Sequence, residues 1–224
     1  MTRSSVLTRA KARAMGIALS DLLGPNFTRL FHHTYVSSRQ MINLRVRANT
    51  IMKRLPAATY VSHHTAVRLW GGVAPDSADI HLSMACREAR CRRAGVAAHL
   101  GSPAAQTTIC DGLPISTPVQ ALLDLASVGV SLVDVVIAGD SLVKANDLDP
   151  VQFVAAADAY QGRNAKRARR AASLVRADVD SPMETRIRLL IVSLGCPSRR
   201  STSSCASPTA SGAGGSTSVT RSTS

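Results

Sequence analysis

The chain has 224 residues and a mass of 23.6 kDa, enough for one large domain or two small ones. Hydrophobic residues make up 45% of it but aromatics only 3%, so the core must be built from Ala, Val, Leu and Ile. The formal net charge of +13 points to a polyanionic partner, nucleic acid before anionic membrane; no apolar run approaches bilayer length and no apolar segment follows the basic N-terminus, so a cytoplasmic location is expected.

Five cysteines, an odd number without an export signal, argue against a disulfide framework. Cys86 and Cys91, with His81 and His99 nearby, lack zinc-finger spacing, and no metal is expected there. Charge falls in blocks. Met1 to Arg54 holds ten Lys or Arg and one acid, Asp21, whereas His99 to Tyr160 holds seven acids and one Lys.

In chain order, "LTRAKARAMGIALSDLLG" predicts a helix and a second, short one, and "NFTRLFHHTYV" a hairpin. Helix, helix and wing is the order of a winged helix-turn-helix, in which one helix enters the major groove and the wing touches backbone. Arg9, Lys11, Arg13, Arg29, Arg39, Arg45 and Arg47 are its candidate phosphate contacts. "SSRQMINLRVRANTIMKRLP" predicts a helix capped by Ser37 with Gln40 three residues on. "SHHTAVRLWGG" predicts a short helix closing at Gly71-Gly72, with Trp70 in the core beneath its end. Neighbours on a helix or strand diverge, so neither His32-His33 nor His63-His64 chelates one ion as a pair, and structural or DNA-backbone roles are favoured over catalysis.

"ADIHLSMA", "GVAAHLG" and "TTICDGLPIS" predict short strands, the last turning at Asp111-Gly112. Three later helices share one start device, a cap followed by Pro and then Gln or Glu: Thr117-Pro118-Gln120, Asp149-Pro150-Gln152 and Ser181-Pro182-Glu184. "GRNAKRARRAASLVR" packs six basic residues into a second basic helix, adding Lys166, Arg167, Arg169 and Arg170 to the DNA-contact candidates. The fold class is α+β.

The order "RLFHHTYVS", "YVSHHTAVRLWGG", "ICDGLPISTPVQALLDLAS" and "DSPMETRIRLLIVSLG" resembles an actinobacterial family over roughly residues 15 to 195. Its N-terminal part is similar to the AbiEi-type antitoxins of type IV toxin–antitoxin systems, and its C-terminal domain to the very-short-patch-repair (Vsr-like) endonucleases. The resemblance implies a winged helix, a mixed α/β middle and the first helix of a restriction-endonuclease-like domain at "SPMETR". It also implies a cognate toxin as partner and, for an intact nuclease domain only, Mg²⁺ activating water against a phosphodiester. Glu184 matches the family's first-helix acid, but as the third residue of a capping box it is equally accounted for as a cap.

No Asp or Glu follows Cys196, and about half of the remaining residues are Ser or Thr. With GC-rich codons, the tail read one base earlier can encode "PEPEVNFVVRVADGEWRWRFDLGYPVD", a strand-like string similar to the family's continuation. A frameshift near Gly195-Cys196 that replaced the nuclease-like domain is therefore expected, over a genuine disordered linker.

The resulting division is a basic winged-helix-like DNA-binding region over 1–60, an antitoxin-like α+β region over 61–178, a remnant nuclease helix over 179–195 and a disordered tail over 196–224. The expected function is a DNA-binding, antitoxin-like regulatory protein with an inactive nuclease remnant and no cofactor. Competing readings are a magnesium-dependent endonuclease, a toxin-binding interaction protein and a non-functional gene product. Composition and motifs leave the oligomeric state open.

Overall fold

The N-terminal elements follow from local caps. The Thr8 hydroxyl accepts the Lys11 backbone N–H at 3.1 Å, so strand β1 (Leu7–Thr8) turns directly into helix α1 (Arg9–Ala14). The one-turn helix α2 (Leu19–Leu22) starts where the Asp21 carboxylate accepts the Ala18 N–H at 3.2 Å. A hairpin follows, β2 (Phe27–Phe31) and β3 (Thr34–Ser37), turning through His32 and His33, with His33 at φ 58. The three strands form an antiparallel sheet in the order β1-β3-β2. Beneath it Leu7, Ala12, Leu22 and Tyr35 make a small core of their own. The computed structural model describes residues 6–39, 41–55, 59–84, 86 and 92–194. The expected tail, Cys91 and Gln40 lie outside the described residues.

The next helix departs from expectation. Ser37 is the last residue of β3 and caps nothing; α3 (Leu44–Met52) begins at Asn43, whose side-chain oxygen accepts the Val46 N–H at 2.9 Å. Asn is as good a cap as Ser, and the backbone at Ser37 is already committed to the hairpin.

The larger sheet has five strands in the order β6-β5-β4-β8-β7. Its central strand, β4 (Thr59–Val61), is only three residues long and is all buried. It runs antiparallel to β5 (Ile80–Met84) and parallel to β8 (Leu113–Ser116), while β6 (Val96–Leu100) lies parallel to β5. The edge hairpin β7 (Thr107–Cys110) to β8 turns at Asp111 and Gly112, both at positive φ, as the Asp-Gly pair predicts.

Helix α4 (His63–Leu69) packs on this sheet and ends at Trp70, whose indole N–H donates to the Ser116 carbonyl at 2.8 Å. All three Pro-led helices form where expected: α5 (Pro118–Ser127), α7 (Pro150–Ala159) and α9 (Pro182–Ser193). Asp149 differs in detail, accepting from Val151 rather than Gln152. Between them lie α6 (Leu132–Asn146), capped by Ser131, and α8 (Ala165–Leu174).

Small residues let these helices come close. Gly139 of α6 faces Val175, and a Cβ there would lie 2.4 Å from the valine Cγ2. One core runs from Phe31 through Ile51, Val61, Ile80 and Leu125 to Val175, so the hairpin and α3 share it with the large sheet. Helix α9 docks through a buried carboxylate. Asp140 accepts the Arg176 N–H at 2.8 Å, the Thr185 hydroxyl at 2.7 Å and the Arg188 guanidinium at 2.8 Å. Its other face, with Ile187, Leu190, Ile191 and Leu194, is exposed.

Two sheets with flanking helices make the fold mixed α+β, and among the described residues no helix is long and apolar enough to cross a membrane.

Candidate functional site

The basic residues separate into two sets by what they touch. Arg9, Lys11, Arg13, Arg29 and Arg39 are exposed, and none of them forms an ion pair among the described residues. Arg45 and Arg47 are half-buried and tied inward: Arg45 pairs with Asp111 on the β7–β8 turn, and Arg47 donates to the Ala78 carbonyl at 2.6 Å. These two fasten α3 to the large sheet.

The second basic cluster divides the same way. Lys166 and Arg170 are exposed, whereas Arg167 donates to the Val130 carbonyl at 2.7 Å and Arg169 to the Tyr160 carbonyl at 3.5 Å. Half of that cluster therefore closes the chain onto itself.

Three arginines from separate elements gather at the hairpin turn. His33 has its pKa lowered, first by burial, then by His32, Arg9, Arg29 and Arg54 around it. Arg54, just beyond α3, donates to the His32 carbonyl at 3.4 Å. No acid is paired with this group among the described residues. Arg54 was missed in the sequence because it stands at the end of a predicted helix, more than twenty residues from the turn it meets.

Glu184 is occupied at the start of α9. Its Oε2 accepts the Asp180 N–H at 2.9 Å, and its own N–H donates to Ser181 at 3.2 Å. Both bonds belong to the helix start. The residue is exposed. Among the described residues no group of three or more His, Cys, Asp or Glu is arranged to hold a metal ion.

A second gathering was hidden in the sequence. His63 and His64 of α4, His81 of β5 and His99 of β6 converge although they come from three elements. The His63 ring stacks on His99 with centroids 3.7 Å apart, and His64 lies 4.3 Å from His81. His81 Nδ1 shares a hydrogen bond with His99 Nε2 at 3.0 Å, and its Nε2 another with Ser77 at 2.9 Å. Burial lowers the pKa of His63, His64 and His81, the last to about 3, so these rings are neutral at pH 7. His63 is held at φ 52, a conformation that costs a residue with a side chain about 1–2 kcal/mol.

Beside this cluster opens a cavity of about 1010 Å³, between the end of β6, α5 and the α7–α8 connection. His63 and His99 line one side, Tyr160 and Arg163 another, and Asp124 is part of the wall. Asp124 Oδ1 accepts the Gln120 side-chain N–H at 2.8 Å. Its Oδ2 is out of solvent and accepts no hydrogen bond of ordinary geometry. Burial pushes its pKa up to about 6, against the pull of Gln120 and the nearby Ser116. The Tyr60 hydroxyl is likewise buried without a well-formed bond, and burial with the Asp124 charge pushes its pKa up to about 12. The sequence carried one signal for this site: Gln120 and Asp124, four residues apart in the otherwise apolar "VQALLDLA".

Comparison with protein-family models and with curated proteins finds no match to this chain.

Proposed function

We propose that the chain binds double-stranded DNA as an antitoxin-like regulatory protein, holding the phosphate backbone with α1 and the arginines around the hairpin turn. The observation that carries this reading is the convergence of Arg9, Arg29 and Arg54 on His33, with no acid paired to them among the described residues. Like charges brought together without counter-ions destabilise a fold unless an outside anion compensates them. Lys11, Arg13 and Arg39 extend the positive surface.

The arrangement favours phosphate contact over base reading. Helix α2, the candidate for the groove, is one turn long, contains Asp21 and has no basic residue. The turn of the hairpin is anchored inward by Phe31, which belongs to the main core, so it does not project as a free wing. The resemblance to AbiEi-type antitoxins agrees with a regulatory DNA binder. Glu184 is consumed as a helix cap, which speaks for binding over cutting.

Fluorescence anisotropy on two duplexes of unrelated sequence tests this across a salt series. Six phosphate contacts give a slope of log K against log salt of about −5.4, similar for both duplexes. Replacing Arg9, Lys11 and Arg13 with Ala should weaken binding to both and bring the slope to about −2.7. Arg45→Ala, which removes an arginine paired with Asp111 and not counted among the contacts, should leave the slope alone. Unchanged affinity in the triple variant would refute the assignment of this face.

A further inference from the structure

We propose that helix α9 carries a dimerisation seam, its exposed apolar face pairing with the same face of a second copy of this chain about a two-fold axis. This inference is independent of the DNA reading.

The residues of the helix set the seam. Met183, Ile187, Leu190 and Leu194 follow one another at spacings of four, three and four, the alternation that keeps one stripe of a helix turned toward a partner helix. They are 63%, 53%, 60% and 73% exposed, and Ile191 beside them is 43% exposed. Single exposed apolar residues are ordinary, whereas a row along the whole length of a helix marks a contact surface. The charged residues of α9 are all engaged by their own chain: Glu184 at the helix start, Arg186 with Asp134 at 3.2 Å and Arg188 with Asp140 at 2.8 Å. The seam itself holds no charge. It is also fixed before anything meets it. A helix of 12 residues is marginal alone, but Thr185 and Arg188 tie α9 to the buried Asp140 carboxylate, so association carries no cost of folding the helix.

Three considerations choose the occupant. Residues 195–224 contain one large aliphatic side chain, Val219, so the segment that follows the helix has no matching apolar strip. An anionic membrane calls for free basic residues beside the strip, and both arginines of α9 are paired with acids. A second copy supplies a stripe of the same length and period, which is what a two-fold interface requires. The five side chains leave roughly 550 Å² open on each copy, so the pair buries about 1,000 Å², the lower limit for a specific interface. A dimer of that size is weak, with a dissociation constant of about 10–100 μM.

Sedimentation equilibrium of the full chain between about 1 and 200 μM tests this. The average mass should rise from 23.6 kDa toward twice that value. Each copy carries a net charge of +13, so added salt should tighten the dimer by screening the repulsion, opposite to its effect on DNA binding. Leu190→Glu, at an exposed site, should weaken association at least about tenfold with helical circular dichroism unchanged. Ile187→Ser removes apolar surface without adding charge and should weaken it as well. Val151→Glu, at an equally exposed residue of α7, should leave it alone. Monomer at about 200 μM, growth past the dimer, a dimer that salt dissociates or one indifferent to both seam variants would overturn the proposal. A monomer that floats with phosphatidylglycerol vesicles would overturn it too, assigning the seam to a membrane surface.

Discussion

Replacing Asp124 with Asn should stabilise the protein at neutral pH. Its carboxyl has a pKa of about 6 in the fold against an ordinary value of 3.8, so ionising it costs the fold about 3 kcal/mol more than the unfolded chain. The sign follows from proton binding. Below pH 3.8 the carboxyl is protonated in both states and contributes no penalty; the penalty grows between pH 3.8 and 6 and is complete above. Asn keeps the oxygen that accepts from Gln120 and cannot ionise. Partial hydration of the open cavity reduces the expected gain to about 1–2 kcal/mol at pH 7.5, shrinking toward zero near pH 4. The buried histidines act in the opposite direction, since their lowered pKa values cost stability as pH falls below 6.5. Comparing variant with wild type at each pH cancels that background. Urea denaturation followed by the fluorescence of Trp70, the only tryptophan, measures the difference. A variant less stable than wild type at pH 7.5, or a difference that ignores pH, would show that the hydrogen bonds to Asp124 outweigh its burial and would refute this reasoning.

Two further outcomes follow from the packing. Wild-type stability should fall steadily from pH 6.5 downward, and His63→Phe, which keeps a ring against His99 but takes up no proton, should flatten that acid limb; an unaltered limb would assign it to other groups. Arg188→Leu should cost about 3–5 kcal/mol in chemical denaturation, because it leaves the buried Asp140 carboxylate without its counter-ion. Adding Asp140→Leu should recover much of that loss, and a double variant as weak as the single one would mean that lost packing, rather than charge, was being measured.

What the sequence made legible was local. Thr117, Asp149 and Ser181 cap helices because a cap, a following Pro and an apolar stripe act within one turn, and no distant contact has to be known. The Asp111-Gly112 turn is legible for the same reason. Ser37 failed as a cap because hairpin pairing with Phe27 had a prior claim on its backbone. Strand β4 left no trace, since three residues cannot show a period and its burial comes from neighbours far along the chain. The histidine cluster is the sharpest case. His63 meets His99 on β6 and His64 meets His81 on β5, and only the parallel pairing of those strands brings His81 and His99 together.

The change of charge near residue 60 does not coincide with a seam in the packing. Leu7, Ala12, Leu22 and Tyr35 form the small buried cluster of the N-terminal sheet and its two helices, and Phe31 and Val36 of that sheet are buried as well. A cluster that small does not offset the entropy of ordering some thirty residues by itself. The region also shares the main core. Phe31 enters the main core, packing close to Gly95, where a Cβ would lie 3.3 Å from its ring. Ala48 and Ile51 of α3 join the same core, and Arg45 and Arg47 pin that helix to the large sheet. The arginines at the hairpin turn therefore take their positions from the body beneath them: Arg29 precedes Phe31 by two residues and Arg54 follows Ile51 by three. A disturbance of the main core moves the proposed DNA face with it, so loss of DNA binding counts against an exposed arginine only when the variant's fold is shown to be intact.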